Sequence, residues 1–200
     1  GDVKERVIPA GSIIVMGNGR TVSVDVSAGA ERIMETLESV HPIDDISGEA
    51  GTNVGGMLEK VRLTMAQLTN KSPQDVFIQD LLAVDVAVPI NVKGGLAGEF
   101  SMEQAVGIAS MVKSDHLQME IIAKQVEKEL GVPVEIGGEE AESAILGALT
   151  TPGTAKPMAI LDLGAGSTDA SIINQEGKIK AIHLAGAGNM VTMLINSELG

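Results

Sequence analysis

The sequence predicts a mixed α/β fold, and two observations carry that prediction. Apolar spacing switches repeatedly along the chain between a strand period of two and a helical period near 3.6. Around residue 160 an apolar strand, Pro157-Met-Ala-Ile-Leu-Asp162, runs into a turn holding Gly164 and Gly166, and a second strand, Asp169 to Asn174, follows at once. No internal repeat, low-complexity tract or obvious linker interrupts the alternation.

Taken in order, Ile13–Met16 and Thr21–Val26 flank Gly17-Asn18-Gly19, residues that tolerate positive φ and suit a hairpin. Residues 28–40 have helical spacing, with Ile33, Met34, Leu37 and Val40 on one face. A polar, glycine-rich stretch runs from Asp44 to Gly56, and a second amphipathic helix from Met57 to Leu68, ended by Asn70-Lys-Ser-Pro73. The β-branched run 76–92 reads as extended, with Pro89 inside it. Gly94, Gly95 and Gly98 make a turn. Ser101-Met-Glu-Gln104 then has the form of a capping box opening a helix to about Val112, and Asp115-His-Leu-Gln118 opens another to about Leu130, stopped by Gly131 and Pro133. Val132–Ile136 reads as a short strand and Glu139–Leu149 as a helix rich in small residues. After the strands at 157–162 and 169–174, Glu176-Gly177 turns the chain into a third, Lys178–Leu184, and Gly186-Ala-Gly188 precedes a last helix.

Composition narrows the function classes. Lys and Arg number 14 against 27 Asp and Glu, a net charge of −13 with no basic cluster, which disfavours nucleic acid and anionic membrane surfaces. No apolar run approaches the roughly 20 residues that span a bilayer, and the polar start, Gly1-Asp-Val-Lys-Glu-Arg6, has no signal-peptide pattern. With no Cys there is neither a disulfide framework nor a thiolate site, which is compatible with the cytoplasm. His41, His116 and His183 are scattered, against a zinc cluster. His116 reads as a solvated helix-start residue, and Met57, Met65, Met102 and Met111 as filler in a core that has only two aromatic residues, both Phe.

The turn at 164–168 carries the chemistry. A dinucleotide fingerprint must open a helix, and here a strand follows; a Walker loop needs Gly-Lys-Ser/Thr, which is absent. A turn between antiparallel strands can still hold phosphate. Gly164 and Gly166 let backbone N–H groups approach an anion, and Ser167 and Thr168 add hydroxyl donors. Asp162 and Asp169 at its two ends would repel phosphate unless Mg²⁺, held largely through water, lies between. On spacing alone, the same residues also suit a plain hairpin with two solvated carboxylates; an Asp closing an otherwise near-apolar strand favours the phosphate reading.

Asp162-Leu-Gly-Ala-Gly-Ser-Thr-Asp169 resembles the second phosphate motif of the actin, heat-shock-chaperone and sugar-kinase ATPase superfamily, with Ala165 for the usual Gly and Ser167 for Thr. Glu139-Glu-Ala-Glu-Ser-Ala-Ile-Leu-Gly147 resembles that superfamily's connecting helix, with Glu140, or else Glu139, as its acidic residue near the metal. Stretches such as Glu49–Gly56, Phe77–Asp85, Gly94–Ser101, Gly107–Asp115 and Gly147–Gly153 resemble the large subunit of the diol/glycerol dehydratase reactivating factor over essentially the whole chain.

The resemblance implies a partial actin-like, ribonuclease H-like ATPase fold, a mixed sheet with flanking helices. It places residues 1–150, helical over 101–130, in the ATPase body and 151–200 at the start of a second lobe. It implies ATP/ADP and Mg²⁺ as ligands. Gly164, Ala165, Gly166, Ser167 and Thr168 would lie on the β/γ-phosphates, with Gly186 and Gly188 in a loop over the nucleotide, although a plain strand-to-helix turn explains those two glycines as well. Asp162 and Asp169 would order the metal's waters, and Asp162 or Glu140 the attacking water. The implied partners are the factor's small subunit and an adenosylcobalamin-dependent diol or glycerol dehydratase, in the cytoplasm or at a bacterial microcompartment. The family's first phosphate motif, swivelling domain and adenine-binding segment have no counterpart in these 200 residues. The chain also starts with Gly1 and stops within a helix, so it reads as an internal segment, inactive alone. The rival readings are a small-molecule kinase on the same fold, for which no acceptor-facing base is found, and a nucleotide-binding scaffold without turnover.

Overall fold

A computed structural model describes residues 7–91, 100–113 and 116–199. The chain forms two compact units, residues 1–112 with 188–200, and residues 113–187. The division expected near residue 150 falls inside the second unit, where the helix that precedes that point packs on the strands that follow it.

In the first unit, β1 (Ser12–Gly17) and β2 (Arg20–Asp25) form the expected hairpin, with Asn18 and Gly19 at positive φ in its turn. β3 (Ile43–Gly48) adds to the other side of β1, giving the order β2-β1-β3. Helices α1 (Ala30–Glu38) and α2 (Asn53–Thr69) supply the core, in which Ile33, Leu37 and Leu58 pack with Ile13, Val15 and Ile46. The polar, glycine-rich stretch 44–56 thus holds most of β3, a short connection at 49–52 and the first turn of α2. Thr52 caps α2, its Oγ1 accepting from the Gly55 N–H at 3.1 Å and donating to the Glu49 carbonyl at 2.7 Å. Gly48 and Gly55 let β3 and α2 touch at backbone distance: a Cβ on Gly48 would lie 2.6 Å from the Gly55 Cα.

β4 (Ile78–Asn91) is the extended segment expected from its β-branched residues. Its partner corrects the reading of 101–112 as a helix: β5 (Phe100–Val112) pairs with β4 antiparallel from Asn91↔Phe100 to Ile78↔Val112. Val106, Ile108 and Val112 pack against the core at even spacing, a strand period that outweighs the capping-box pattern at 101–104. α5 (Gly188–Leu199) belongs to this unit. Its Ser197 Oγ accepts from the Ala87 N–H at 2.5 Å, and its Met193 fills the space left by Gly107. Met57 is exposed rather than core filler. The turn expected at Gly94, Gly95 and Gly98, and the capping residue Asp115, lie outside the described residues.

The second unit holds α3 (His116–Leu130), α4 (Glu140–Ala148) and a three-stranded antiparallel sheet, β6 (Met158–Leu163), β7 (Ser167–Ile173) and β8 (Ile179–Ala185), in that order. Residues 132–136 form no strand; Pro133 lacks an N–H, and the Val134 N–H goes to the Glu127 carboxylate at 3.1 Å instead of to a ladder. α4 packs on β7, burying Ala141 and Ile145 with Ile173, and the Ser171 hydroxyl donates to the Ala141 carbonyl at 2.9 Å. The apolar run of β6 is of the kind that suits a buried strand. It is an edge strand among the described residues, with Leu161 59% and Leu163 67% exposed. No helix of the described residues is long and apolar enough to cross a membrane.

Candidate phosphate-binding site

Strand register builds the site. β6 and β7 pair with Asp162 opposite Asp169 and Leu163 opposite Thr168, and the exposed residues 164–166 join them. No helix begins here, so the dinucleotide reading is out. Inside the turn the Gly164 N–H donates to the Ser167 carbonyl at 3.0 Å, so that donor is spent. The N–H groups of Ala165 and Gly166 have no partner among the described residues. Gly166 is not in the left-handed region, and a Cβ placed on it meets nothing within 4 Å. The chain's own packing does not require glycine at this position; a ligand approaching the backbone would.

The second glycine loop is fastened to the first. The Gly186 N–H donates to the Gly166 carbonyl at 2.9 Å, and the Thr168 hydroxyl donates to the Gly186 carbonyl at 2.8 Å. Gly186 is therefore held beside the turn. The same bond uses the Thr168 proton, so this buried hydroxyl has none to offer phosphate. Ser167 is partly exposed. Gly188 opens α5 and belongs to the first unit. Glu139 is the N-cap residue of α4, and Glu140, in its first turn, is exposed where the helix dipole favours a carboxylate. The Ser171–Ala141 bond ties that end of α4 to the sheet face that also carries Asp162 and Asp169.

His183 joins these two carboxylates. Register places it directly opposite Asp169, so Asp162, Asp169 and His183 form one row across β6, β7 and β8 on one face. The His183 Nδ1 is hydrogen-bonded to Asp169 Oδ1. Asp169 is only 6% exposed, whereas the His183 side chain is 44% exposed. Asp162 is exposed and has no hydrogen bond or ion pair among the described residues. The two carboxylates, alike in the sequence, thus differ: Asp169 is buried and engaged, and Asp162 is free. The Glu176-Gly177 turn lies midway between 169 and 183, and that symmetry is the signal that sets His183 opposite Asp169.

The donors fit one kind of metal binding. Among the described residues no three His, Cys, Asp or Glu side chains converge closely enough to hold an ion. A cage of protein ligands is thereby unsupported. A largely hydrated Mg²⁺ resting on one free carboxylate and on phosphate oxygens is compatible, because such ions keep most of their waters.

A groove of about 640 Å³ in the first unit, lined by Val54, Met57, Asp85 and Ile108 among others, contains none of the sequence-predicted site residues. Its carboxylate is committed: Asp85 Oδ1 accepts from the Ala30 N–H at 2.9 Å and so caps α1, whose N-cap residue Gly29 has no side chain to do so.

Residues 24–200 match the family described as the diol dehydratase reactivase ATPase-like domain. The chain belongs to that family. It is 68% identical over its whole length to the propanediol dehydratase-reactivating factor large subunit of Salmonella typhimurium, and 66% identical to the diol dehydratase-reactivating factor large subunit of Klebsiella michiganensis. Each match covers 33% of the relative, so the chain spans about a third of their length. Two solved structures superpose on 98% of the chain and cover 32% of their own. A glycerol dehydratase reactivase does so with a TM-score of 0.79 at 57% identity, and a diol dehydratase-reactivating factor in nucleotide-free form with 0.80 at 66%. This chain, a segment of that ATPase-like family, is a mixed α/β structure, as the alternating periods predict.

Proposed function

We propose that this chain is the part of a dehydratase-reactivating large subunit that holds the β- and γ-phosphates of ATP. In this reading the whole protein, with its small subunit, uses ATP binding and hydrolysis to exchange damaged cobalamin for intact adenosylcobalamin in a diol or glycerol dehydratase. The observation that carries it is the turn 164–166, with two unpartnered N–H groups and an unfilled space at Gly166, lying beside the free carboxylate of Asp162.

Ala165 and Gly166 donate backbone N–H groups to phosphate oxygens, and Ser167 adds a hydroxyl. Gly186, stapled to Gly166, limits the turn's freedom, so the donors are in place before the ligand arrives. Asp162 holds the waters of Mg²⁺, which when bound supplies the positive charge that makes a carboxylate beside a triphosphate favourable. At 4 Å one such like-charge pair costs about 4 kcal/mol at an intermediate dielectric. Asp162 or Glu140 orients the attacking water. Positioning and charge neutralisation carry most of phosphoryl transfer, so the lack of a strong nucleophile is no obstacle. The 200 residues alone hydrolyse ATP negligibly, because this turn is one of the two phosphate-holding elements of the superfamily the motif resembles.

The test is Asp162→Asn in the full-length protein. Mg²⁺-dependent hydrolysis is expected to fall about 10–100-fold, the range typical when a group ordering a metal's surroundings is lost. Metal-free nucleotide binding should hold or improve, and dehydratase reactivation should fall in parallel. Wild-type hydrolysis and reactivation by this variant would refute the assignment. Loss of reactivation with hydrolysis absent in both proteins would favour a nucleotide-binding scaffold.

A further inference from the structure

Asp169 and His183 form a pair that the phosphate turn does not account for. An ionised carboxylate only accepts hydrogen bonds, so the proton between Asp169 Oδ1 and His183 Nδ1 resides on the ring. In the neutral imidazole this fixes the tautomer and leaves the Nε2 lone pair as an acceptor. Burial divides the roles. The carboxylate is enclosed and the ring is partly exposed, which is the arrangement in which a carboxylate orients a histidine for use by something else. The ring also shares a sheet face and a row with the free Asp162.

We propose that His183 is a further binding residue of this site: its Nε2 accepts a hydrogen bond from a water on the cation that Asp162 holds, and Asp169 is the positioning residue that aims the ring. The sizes agree. Adjacent strands lie about 4.8 Å apart, so β6 and β8, with β7 between them, are separated by about 10 Å. A hydrated Mg²⁺ has its waters at about 2.1 Å, and each water reaches a further 2.8 Å or so in a hydrogen bond. Partners of one hydrated ion can therefore stand up to about 10 Å apart, so side chains rising from the two outer strands of the row are within its reach. Asp169 then contributes through His183 and not as a direct partner of the metal.

The inference rests on the phosphate-site reading, and the experiment separates the two. Mg²⁺ is titrated calorimetrically into the full-length protein with ADP, for wild type, His183→Ala, His183→Asn, His183→Gln and Asp162→Asn, and the unfolding midpoint of each is recorded. Asparagine reproduces the Nδ1 donor alone, whereas the glutamine side-chain oxygen extends to the Nε2 position. Loss of the acceptor is expected to weaken Mg²⁺ about 10-fold or more in the Ala and Asn variants, with Gln recovering most of it; the midpoint should hold in Asn, which keeps the donor to Asp169, and fall in Ala and Gln, which remove it. If Asp162→Asn weakens Mg²⁺ while all three His183 variants bind as wild type, the His183 assignment is wrong and the site stands. Equal loss in Ala, Asn and Gln with lowered midpoints identifies a packing role and also overturns it. If Asp162→Asn has no effect either, the site reading fails, and this inference fails with it.

Discussion

Both units are built on a three-stranded antiparallel sheet with a glycine hairpin, yet they spend their polar groups differently. In the first, most carboxylates beside the sheet are committed to the chain itself. Asp25 accepts from Ser27, Glu49 from the Ser12 N–H, and Asp85 from the Ala30 N–H. Asp45 takes both its oxygens to Arg62 at 3.0 Å and also accepts from the Ile78 N–H at 2.9 Å. In the second unit Asp162 and two turn N–H groups have no partner among the described residues, and large apolar side chains of the sheet remain exposed. Polar groups consumed internally hold a fold together, whereas groups left over at one turn are free to meet a ligand. On the proposed reading, the first unit is scaffold and the turn 164–166 the working part.

The largest effect expected from breaking that contrast is at Arg62. Its guanidinium pairs with Asp45 and also donates to the Val76 and Ile46 carbonyls, linking α2, β3 and the segment that leads into β4. Arg62→Ala leaves the buried Asp45 charge uncompensated, which costs about 3–5 kcal/mol. Hydrogen exchange at the Ile78 amide, which donates to Asp45, should accelerate strongly, with chemical denaturation shifting to match. The phosphate turn should exchange as before. If the turn loosens equally, the two units are not independent in stability.

Much of this was legible in the sequence, for identifiable reasons. The hairpin at 17–19, the helix faces of α1 and the three serial strands 158–185 follow from local chemistry and short connections. β5 was missed because its even-numbered apolar residues compete with a capping-box pattern, and pairing with the long β4 decides between them. β3 was missed because Asp44-Asp45 looks like a loop, and only the distant Arg62 makes a buried Asp45 tolerable. Around the candidate site, the strand–turn–strand arrangement with Asp162 and Asp169 at its two ends could be read directly. The difference between Asp162 and Asp169 could not, since it depends on which strand neighbours which. Thr168 was assigned to phosphate because a hydroxyl in sequence does not reveal that Gly186 already takes its proton.

A pair of glycine substitutions sharpens the comparison at intermediate size. Gly48→Ala drives a Cβ to 2.6 Å from the Gly55 Cα, where neither backbone can yield, and overpacking of this kind costs about 1–3 kcal/mol or more. Gly166→Ala meets open space without a left-handed φ, so stability should hold or rise by about 0.4–1 kcal/mol. Function should respond in the opposite sense: nucleotide affinity of the full-length protein falls with Gly166→Ala, whose methyl occupies the phosphate's approach. Unfolding and ADP titration of both variants are the measurements. A Gly166→Ala protein that binds ADP as wild type does would remove the ligand explanation for that glycine.

The smallest effect is a pH dependence in the scaffold. The Asp25 carboxylate accepts from the Ser27 hydroxyl at 2.6 Å and from the Ser27 N–H at 2.8 Å, and these bonds, the hydroxyl first, hold its carboxyl below the usual range. A carboxyl depressed by folding stabilises the folded state above its unfolded pKa, and that contribution is lost as pH falls through the folded value. The group is fully exposed, so solvent screens most of the effect. Ser27→Ala removes the larger cause and should move the Asp25 titration, followed by its side-chain carboxyl resonance, back toward the ordinary carboxylate value. Near neutral pH, where Asp25 is ionised in both states, the variant should lose a little stability. At pH values below the folded titration the two proteins should converge, because the protonated carboxyl no longer distinguishes them. A Ser27→Ala protein whose Asp25 titrates as before would mean that the Ser27 N–H alone holds the carboxylate, and that the hydroxyl adds nothing to the cap Asp25 makes on the 3₁₀ turn at 26–28.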